Sequence, residues 1–443
     1  MTYEIQGTMP LSDLVTIRSG GTPSKQTPEF WDGDIPWVSA KDMKTPFLSD
    51  AEDSVTSLGV DHGAKLAKQG DILVLARGMT LHQDVPICFA MRPLAFNQDV
   101  KGLTPNGVDG RFLFYALKAS KPELLRRVDA AGHGTGRLNT EQLRTLPIPR
   151  FGQQAEAEIA EIFSALDDKI RMNSQTSDTL KEMARAIFRD WFIEFGPVRR
   201  KMAGVMDPVA VLGGASRDPE IARKYADIFP DTLGRDNLPV GWSTASLDTV
   251  ATQIKQSVKP QQYPEKLYDL FSIPAFDRAA MPVREIGGAI KSNKQRVPQN
   301  SILFSRLNPQ TPRVWWATTG NDVEAIASTE FFIAEPRMSG GTPWLYCLLC
   351  SEPFITAARS RVSGTSNSHQ RINPQALKEV PCVQPQDAAV RAFSEMTRPF
   401  FDRINANKHQ SARLAEMRDL LLPRLFRRQE RVGEVANQFE DVA

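Results

Sequence analysis

The stretch IAEIFSALDDKIRMNSQTSDTLKEMARAIFRDW, residues 159–191, decides how this chain folds. Apolar or small residues recur along it in alternating steps of four and three, which is the seam pattern of a coiled coil. No Pro or Gly interrupts residues 153–195, and Gly196-Pro197 then predicts the end of the helix. A helix of about 40 residues is about 60 Å long. The seam comprises Ile159, Phe163, Leu166, Ile170, Asn173, Ser177, Leu180, Ala184, Ile187 and Trp191.

A second copy of this segment follows in the same chain. Arg137-Leu138-Asn139 recurs as Arg371-Ile372-Asn373, and the offset of 234 then holds without a gap for more than fifty residues. Further upstream the repeat is weaker and the offset drifts to between 230 and 232. Pro399 and Pro423 lie within the second pattern and predict a late start or a kink. The second seam comprises Phe393, Thr397, Phe400, Ile404, Asn407, Ser411, Leu414, Arg418, Leu421 and Leu425.

Both seams become polar at the same place, at Asn173 and Ser177 in the first copy and at Asn407 and Ser411 in the second. Polar residues in a seam cost stability but fix the register of the helices. Two helices that run antiparallel about a local twofold axis would bring Asn173 to Ser411 and Ser177 to Asn407. These four residues are the predicted determinants of register.

The segments before each helix diverge and predict mixed α and β structure. Short β-type runs at 72–75 and 301–304 are bounded by turn residues, and helical stretches follow at 112–128 and 342–351. Residues 197–235 contain Gly213-Gly214 and several proline breaks, which are typical of a connector. The predicted fold class is therefore α+β, with two mixed α/β domains in a tandem pseudo-repeat, each followed by a long helix, and the two helices paired as an antiparallel coiled coil.

Composition by itself indicates a neutral soluble enzyme, because 54 Lys and Arg offset 52 Asp and Glu over 443 residues. Four scattered cysteines favour a reduced, cytoplasmic protein. Acidic Glu4 and Asp13 without an apolar core predict that no secretory signal is present. The longest uncharged run, 338–351, is shorter than the roughly 20 apolar residues that span a bilayer.

Catalytic motifs, however, are missing from the sequence. It has no G-x-x-x-x-G-K-[ST] loop, no G-x-G-x-x-G after a strand, no H-E-x-x-H and no Asn-Pro-Pro-Tyr-like residues of an amino-methyltransferase. Gly20-Gly21-Thr22-Pro23-Ser24-Lys25 resembles a phosphate cradle only superficially, and it predicts either a tight turn or a loop that faces DNA. The absence of motifs argues against the enzyme interpretation.

Cysteine and histidine spacing does not predict a metal site. Cys347-x-x-Cys350 lacks a second pair and lies in an apolar run, so both thiols are predicted to be core residues, with zinc as the alternative. His133 and His369 fall in corresponding loops, 132–136 and 363–369, which are rich in small polar residues. Such loops suit backbone contact with phosphates or bases, although two ordinary surface loops explain them equally well.

Positive charge is concentrated in the second half of the chain. Residues 284–313 carry six basic side chains against Glu285 alone, and residues 353–378 carry four against no acid. This excess, with Trp315 and Trp316 nearby, suits contact with phosphates, whereas an isolated run of charge more often forms a solvated face. The first 150 residues hold 17 basic and 17 acidic residues and give no such signal.

Several segments together resemble the specificity subunits of Type I restriction–modification systems. The opening of a target recognition domain is matched by Leu11-Ser-Asp-Leu14, Gly20-Gly-Thr-Pro-Ser24, Trp31, Gly33-Asp-Ile-Pro-Trp-Val-Ser39 and Lys41-Asp-Met43. The passage from domain into spacer helix, and the entry of the second half, are matched by Leu146-Pro-Ile-Pro149, Gln154, Ile159-Ala160, Leu166-Asp167, Lys169-Ile170, Asn173, Trp191-Phe192 and Leu238-Pro-Val-Gly-Trp242. The resemblance covers essentially the whole chain, although the second domain lacks the Gly-Gly-Thr-Pro and Trp-Val-Ser signatures.

This resemblance implies a non-catalytic reader of double-stranded DNA. Each recognition domain would read one half-site of a bipartite, asymmetric target, and the helices would hold the two domains at a fixed separation. Two modification subunits that methylate adenine N6 and an ATP-driven restriction subunit that cuts DNA would dock on the chain. S-adenosylmethionine, ATP and magnesium would then bind these partners, with no cofactor or metal in this chain. The membrane is not an expected partner.

The repeat and the composition of the segments, read together with this resemblance, predict the ranges of the domains. They are recognition domain 1 (1–150), the central spacer helix (151–196), the connector (197–235), recognition domain 2 (236–384), the C-terminal spacer helix (385–432) and a tail (433–443). DNA contacts are expected from Gly21, Thr22, Ser24, Lys25, Ser39, Lys41, His133, Thr135 and Arg137, and from Lys291, Lys294, Arg306, Arg313, Ser363, Thr365, Asn367, His369 and Arg371.

Two other interpretations remain open from the sequence alone. One is a fused DNA-modifying enzyme whose motifs are not recognised, and the other is an adaptor with a coiled-coil shaft that binds only proteins. Steep salt dependence of DNA binding would separate a DNA reader from the adaptor. The rod of about 60 Å is shorter than two duplex turns of about 34 Å each, so half-sites about one turn apart on one face are expected.

Overall fold

A computed structural model describes residues 5–130, 135–318, 322–363 and 370–426 of the chain. The backbone divides into two compact units. The first unit comprises residues 1–171 together with 411–443, and the second comprises residues 172–410. Both units combine β-sheets with helices, as the α+β prediction requires.

The sheets of the first unit are built around a short strand that is buried on both faces. All four residues of Ile72–Leu75 are buried, and this strand lies at the centre of a five-stranded sheet. The order in that sheet is Val15–Ser19, Val100–Pro105, Ile72–Leu75, Ile87–Ala90 and Phe47–Leu48. The other sheets contain Asp53–Val55, Trp31–Val38, Leu94–Phe96 and Lys65–Ala67; Asp129–Ala130, Gly136–Arg137 and Arg77–Gly78; and Gly7–Pro10 with Pro147–Arg150.

An almost fully buried helix packs on these sheets. Gly110–Ala119 begins where the Asp109 side chain accepts a hydrogen bond from the Phe112 backbone N–H, and residues 112–117 are all buried. Further helices are Leu11–Leu14, Ser57–Asp61, Lys121–Arg126 and Thr140–Arg144, with short 3₁₀ turns at Pro28–Phe30 and Met79–His82.

The second unit has a comparable set of sheets with a different strand order. The buried strand Ile302–Ser305 lies between Phe331–Pro336 and Val314–Trp316, and Ala251–Ile254 completes this sheet. A five-stranded sheet contains, in order, Ser257–Val258, Lys294–Arg296, Glu324–Ala327, Leu267–Phe271 and Val283–Ile286. Two-stranded pairs are Ser243–Ser246 with Pro381–Gln384 and Val362–Ser363 with Arg371–Ile372.

The predicted connector forms helices that pack into the core of the second unit. Val198, Val211 and Phe229 are buried among the residues of that core, so this segment is part of the unit. Its helices are Gly196–Met202, Pro208–Val211 and Pro219–Ala226. The other helices of the second unit are Leu247–Val250, Ile273–Ala279, Thr342–Cys350, Glu352–Arg359 and Pro374–Lys378, with 3₁₀ turns at Pro260–Gln262 and Gly287–Ala289.

Two long helices, Gln153–Phe192 and Asp387–Phe426, follow the sheet segments. All the predicted seam residues of both helices are buried or partly buried. The late start predicted for the second helix is wrong, because the helix begins at Asp387 and continues across Pro399. Ala389, Val390 and Phe393 are buried in the core of the second unit, and this burial offsets the backbone hydrogen bond that proline cannot make.

A buried ion pair fixes the junction between domain and helix in the first unit. The Arg150 guanidinium donates to both carboxylate oxygens of Glu156 at 2.6 and 2.7 Å, and the Phe151 backbone N–H donates to the same carboxylate at 3.0 Å. Glu156 lies in the first turn of the helix, where a carboxylate is favoured by the helix dipole. The junction therefore sets the direction in which the helix leaves the domain.

The helix segments pack side by side within each unit. In the first unit the Arg418 guanidinium makes an ion pair with the Asp167 carboxylate, which also accepts a hydrogen bond from the Tyr115 hydroxyl at 2.9 Å. In the second unit the Asn173 amide donates to Gln410 at 2.9 Å, while the rings of Phe188 and Phe393 lie 5.8 Å apart. Within that unit, residue numbers on one helix rise as those of their partners fall.

We predict that Arg418→Met lowers the free energy of unfolding by about 3–5 kcal/mol, because the Asp167 carboxylate then stays buried without a cation. The Asp167 side chain is only 2% exposed, so water cannot replace the guanidinium. The double variant Asp167→Asn with Arg418→Met removes the buried charge, keeps an acceptor for Tyr115 and should recover most of the loss. Urea unfolding measures both, and equal midpoints for the single and double variants would contradict the prediction.

Candidate nucleic-acid interface

The Gly20-Gly21 pair lies against neighbouring backbone. A Cβ atom on Gly20 would come within 2.0 Å of the Asn97 carbonyl oxygen, and one on Gly21 within 2.0 Å of the Gly63 carbonyl oxygen. The Gly21 backbone N–H also donates to the Phe96 carbonyl at 2.9 Å. The two glycines are thus required for close packing, and they hold the next residues of the loop at a fixed place on the unit.

Of those next residues Thr22, Ser24 and Lys25 are exposed, and two of them accept or donate hydrogen bonds within the unit. The Thr22 hydroxyl donates to the Gln98 side chain at 2.6 Å, and the Trp31 indole N–H donates to the Ser24 carbonyl at 3.0 Å. The Lys25 ammonium lies 6.0 Å from the Trp31 ring, within the range of a weak cation–π contact. The loop therefore presents a hydroxyl and an ammonium to solvent on a rigid base.

The other loop predicted in this unit, around residues 39–41, uses its polar groups internally. The Ser39 hydroxyl donates to Asp42 at 2.9 Å. The Lys41 ammonium lies 3.0 Å from Asp53 and 3.1 Å from Glu52, and these two carboxylates raise the pKa of Lys41. Lys41 is exposed, so its ion pairs are weak and exchangeable.

A polar cleft of about 480 Å³ lies beside the first loop. Three basic side chains, Arg77, Lys101 and Arg137, line it together with Asp99 and Asp129. The remaining lining residues are Ala76, Gln98, Leu138, Asn139 and Thr140. Gln98 is the residue bonded to Thr22, so the loop at 20–25 and the cleft form one continuous polar surface.

The cations of the cleft repel one another. Burial lowers the pKa of Lys101, and the positive charge of Arg137 lowers it further. Among the residues described here, the Arg77 and Arg137 side chains make no ion pair. Asp129 already accepts a hydrogen bond from Gln142 at 2.8 Å. Converging cations without full internal neutralisation favour the entry of an anion such as a phosphate.

Sequence reasoning found Arg137 but missed Arg77, Gln98 and Lys101. These three residues belong to no motif. The pairing of Gly136–Arg137 with Arg77–Gly78 brings Arg77 to Arg137, and Lys101 reaches the cleft from the strand Val100–Pro105. Thr135 is partly buried and has a contact of its own. His133, Thr365, Asn367 and His369 lie outside the described residues, and Ser363 ends the strand Val362–Ser363.

The basic residues predicted in the second unit are mostly held by internal partners. Arg313 donates to both carboxylate oxygens of Asp277 at 2.6 and 2.9 Å. Arg371 donates to both oxygens of Glu330 at 3.1 and 3.0 Å. Arg306 donates to the Thr329 carbonyl at 2.6 Å.

The remaining basic and aromatic residues considered for phosphate contact in the second unit differ in how exposed they are to solvent. Lys294 is buried and donates to the Ser292 hydroxyl at 2.5 Å, and burial lowers the pKa of Lys294. Lys291 is exposed. Trp315 belongs to the core, and Trp316 packs on Phe401 with the rings 4.8 Å apart. The two tryptophans thus serve packing, so they add nothing to a phosphate-binding surface.

The polar residues of the helix seam meet within the second unit. The Asn407 amide donates to the Ser177 hydroxyl and to the Asn173 carbonyl, each at 3.3 Å. Ser177 also donates to the Asn173 carbonyl at 2.7 Å. The contact of Ser177 with Asn407 is the one that the antiparallel hypothesis requires. Ser411 belongs to the first unit, and its pairing with Asn173 stays a prediction.

One cysteine of the Cys347–Cys350 pair is buried in the second unit, and the other is partly buried against its core. Cys347 is buried in the core, and burial raises the pKa of both the Cys347 and the Cys350 thiols. Within the described ranges, no group of three or more His, Cys, Asp or Glu side chains could hold a metal ion. None of the helices in those same ranges is long and apolar enough to cross a membrane.

Comparison with known proteins shows which class of protein this chain is similar to. Residues 5–182 match the Type I restriction modification DNA specificity domain. Over 96% of its length the chain is 23% identical to the MjaIX specificity subunit of Methanocaldococcus jannaschii, of which it covers 93%. It is also 28% identical over 191 residues to the EcoR124I/EcoR124II specificity subunit of Escherichia coli, covering 42% of this chain and 47% of that protein.

A solved structure shares the fold. The S subunit of a Type I restriction-modification system from M. genitalium superposes with a TM-score of 0.55 at 13% identity, covering 96% of this chain and 99% of that one. The matched domain is thus a DNA specificity domain, and the matched relatives are named specificity subunits. The chain is similar to the specificity subunits of Type I restriction–modification systems, in agreement with its sequence resemblance.

We predict that Gly21→Ala destabilises the first unit by about 1–3 kcal/mol, because its Cβ would overlap the Gly63 carbonyl and displace the loop at 20–25. Gly7→Ala is the matched control, since no atom lies within 4 Å of the added Cβ, and it should change stability by less than about 0.5 kcal/mol. Thermal unfolding of the two variants measures the difference. An unchanged melting temperature for Gly21→Ala would show that the loop does not depend on this contact.

Proposed function

We propose that this chain recognises a bipartite, asymmetric DNA target with one half-site for each recognition domain. One observation supports the proposal above all: the end of each long helix packs against the sheet segment of the other copy. Phe426, at the end of the second helix, packs on Phe112 in the first unit with the rings 5.7 Å apart. Phe192, at the end of the first helix, lies with its ring 6.3 Å from Trp344 in the second unit.

This exchange is what a tandem repeat with crossed helices requires. Phe426 corresponds to Phe192 at the offset of 234, and Trp344 corresponds to Phe112 at 232. Each sheet domain thus packs against the end of the other copy's helix. The contacts support two copies of one domain-plus-helix unit, whose helices pair as an antiparallel coiled coil.

The polar centre of the helix pair supports a defined register. Asn173, Ser177 and Asn407 satisfy one another within the seam, and any shift of one helix would leave these polar groups among apolar residues. The pairing would therefore hold the two domains at one separation. In this proposal Asn173, Ser177, Asn407 and Ser411 are the register residues.

DNA contact in the first domain is proposed for the loop 20–25 and the adjoining cleft, including Arg137. In the second domain the exposed Lys291 and the loop 363–371, apart from Arg371, remain the candidates, whereas Arg313, Arg371 and Lys294 have internal structural roles. Phosphate contacts would position each domain, and contacts with base edges would select the sequence.

The same proposal assigns the partners. The chain works with DNA and with modification and restriction subunits, and we propose two modification subunits docked on the helix pair. S-adenosylmethionine would bind the modification subunits, and ATP with magnesium the restriction subunits. The domain boundaries proposed for this arrangement are 1–150, 151–196, 197–235, 236–384 and 385–432, followed by the tail 433–443.

Mapping of methylated adenines across a genome, with and without this chain, tests the proposal. The expected result is one split motif, with two different half-sites and a fixed gap, which disappears when the chain is deleted. Methylation confined to a continuous motif, or methylation that persists without the chain, would overturn it.

We predict that inserting one heptad into each helix, after Gln175 and after His409, lengthens the gap and leaves both half-sites unchanged. Seven helical residues add about 10 Å. The gap should therefore grow by about 1 to 3 base pairs, the upper value being the full added rise at about 3.4 Å per pair. Inserting the same heptad into the tail after Val432 is the control. The original gap in the double-insertion complex would refute a spacing role for the helices.

A further inference from the structure

We propose that the two units grip the DNA backbone unequally: the cleft of the first unit is a phosphate site, whereas the equivalent place in the second unit is closed by Glu330. This inference rests on the proposed function, since the phosphate is that of duplex DNA. It concerns Arg77, Lys101 and Arg137 in the first unit and Arg371 in the second.

The two places are equivalent by their backbone hydrogen bonds. In the first unit the Leu138 N–H donates to the Ala76 carbonyl at 2.9 Å, and the Ala76 N–H donates to the Asp99 carbonyl at 2.7 Å. In the second unit the Ile372 N–H donates to the Arg306 carbonyl at 3.0 Å, and the Arg306 N–H donates to the Glu330 carbonyl at 2.9 Å.

This correspondence aligns the side chains that decide the charge. Arg137 and Arg371 are equivalent at the offset of 234, and each immediately precedes the residue whose N–H begins the two hydrogen bonds. Asp99 and Glu330 are equivalent because each supplies the carbonyl that accepts the second of these bonds. Each unit therefore places one arginine and one acidic residue at the same point of the fold.

The outcome differs because the two acids differ in length. Glu330 reaches Arg371 and accepts two hydrogen bonds from its guanidinium, which is the strong bidentate geometry of an arginine–carboxylate pair. Asp99 is one methylene shorter, and among the described residues its carboxylate forms no ion pair with Arg137. The arginine of the first unit is left facing an open cleft.

Two further cations strengthen the contrast. Lys101 and Arg77 line the cleft with Arg137, and the repulsion between Lys101 and Arg137 would be relieved by a phosphate placed between them. In the second unit Arg306, which takes the backbone position of Ala76, donates from its guanidinium to the backbone carbonyls of Thr329 and Ile372. In the second unit the cations at the equivalent position are therefore already paired within the protein, so a phosphate would gain little by binding there.

The physical consequence is an unequal dependence on salt. Each phosphate that a cation neutralises releases counterions and adds about 0.9 to the slope of log affinity against log salt concentration. We expect the first half-site to supply more of this slope. Arg371 would instead hold the strand pair Val362–Ser363 and Arg371–Ile372 on the unit.

The experiment uses the complex of this chain with its modification subunits and a duplex that carries the motif found by methylation mapping. Arg137→Ala should reduce the salt slope by about 0.9. The ratio of wild-type to variant affinity should therefore be about threefold smaller at 200 mM salt than at 50 mM salt. Arg371→Ala should leave the slope unchanged while lowering the melting temperature. Lys65→Ala, an exposed cation outside the cleft, is the control for loss of charge.

Two exchanges of the acidic residue test the cause. Asp99→Glu should reach Arg137, close the cleft and reduce the slope as Arg137→Ala does. Glu330→Gln should release Arg371 and increase the slope by up to about 0.9. Inorganic phosphate and ATP, each added at constant ionic strength, test whether a free phosphate compound occupies the cleft instead.

The outcomes separate this inference from the proposed function. A slope that Arg137→Ala leaves unchanged, in a complex that still methylates a split motif, overturns the inference alone, as does competition by ATP with an unchanged DNA slope. A complex that binds the mapped duplex no better than a random one overturns the proposed function itself. Reduced slopes for Arg137→Ala and Asp99→Glu, with an unchanged slope for Arg371→Ala, support the inference.

Discussion

A long amphipathic helix cannot leave its apolar seam in water, and the rest of this structure depends on how that seam is covered. Residues Leu421, Leu425 and Phe426 of the second helix belong to the same core as Phe112 and Ile148 of the first unit. Phe188 and Phe192 of the first helix likewise belong to the core of the second unit. The core of each sheet domain is therefore completed by the end of the other copy's helix, which is far away in the sequence.

The two halves of the chain differ in how their charged side chains are paired, and the net charge of +2 does not show this difference. Most of the arginines in the basic segments of the second half form bidentate pairs with acids or donate to backbone carbonyls. The first half has equal numbers of acidic and basic residues, yet it holds the cleft in which three cations converge. Counting charges along the chain therefore pointed to the half whose cations are already satisfied.

The helical part of the fold could be predicted from the sequence because a seam repeats every three or four residues along one element. The strand Ile72–Leu75 was equally predictable, since four consecutive buried residues form one short apolar run. Pro399 misled the prediction of a late start, because a local rule cannot weigh the burial of Phe393 and its neighbours. Residues far apart in sequence, such as Arg371 and Glu330, pair only through strand register, which no local pattern contains.

The candidate site was only partly predictable for the same reason. The Gly20-Gly21 loop carries a recognisable pattern, but its glycines prove to be needed for packing against Gly63 and Asn97. The cleft is assembled from segments near residues 76, 99 and 138, and no single segment has a motif. Arg137 was found through the internal repeat, whereas Arg77 and Lys101 belong to a part of the chain where the two copies have diverged.

The buried pair of Asp167 and Arg418 shows that the two copies are no longer interchangeable. At the offset of 234, Asp167 corresponds to Phe401 and Arg418 to Ala184. Two first copies brought together would set the Asp167 carboxylate against the methyl group of Ala184, and two second copies would set Arg418 against Phe401. The two copies are thus complementary. Pairing two identical copies would bury a charged side chain without its partner of opposite charge, so the two different copies pair preferentially.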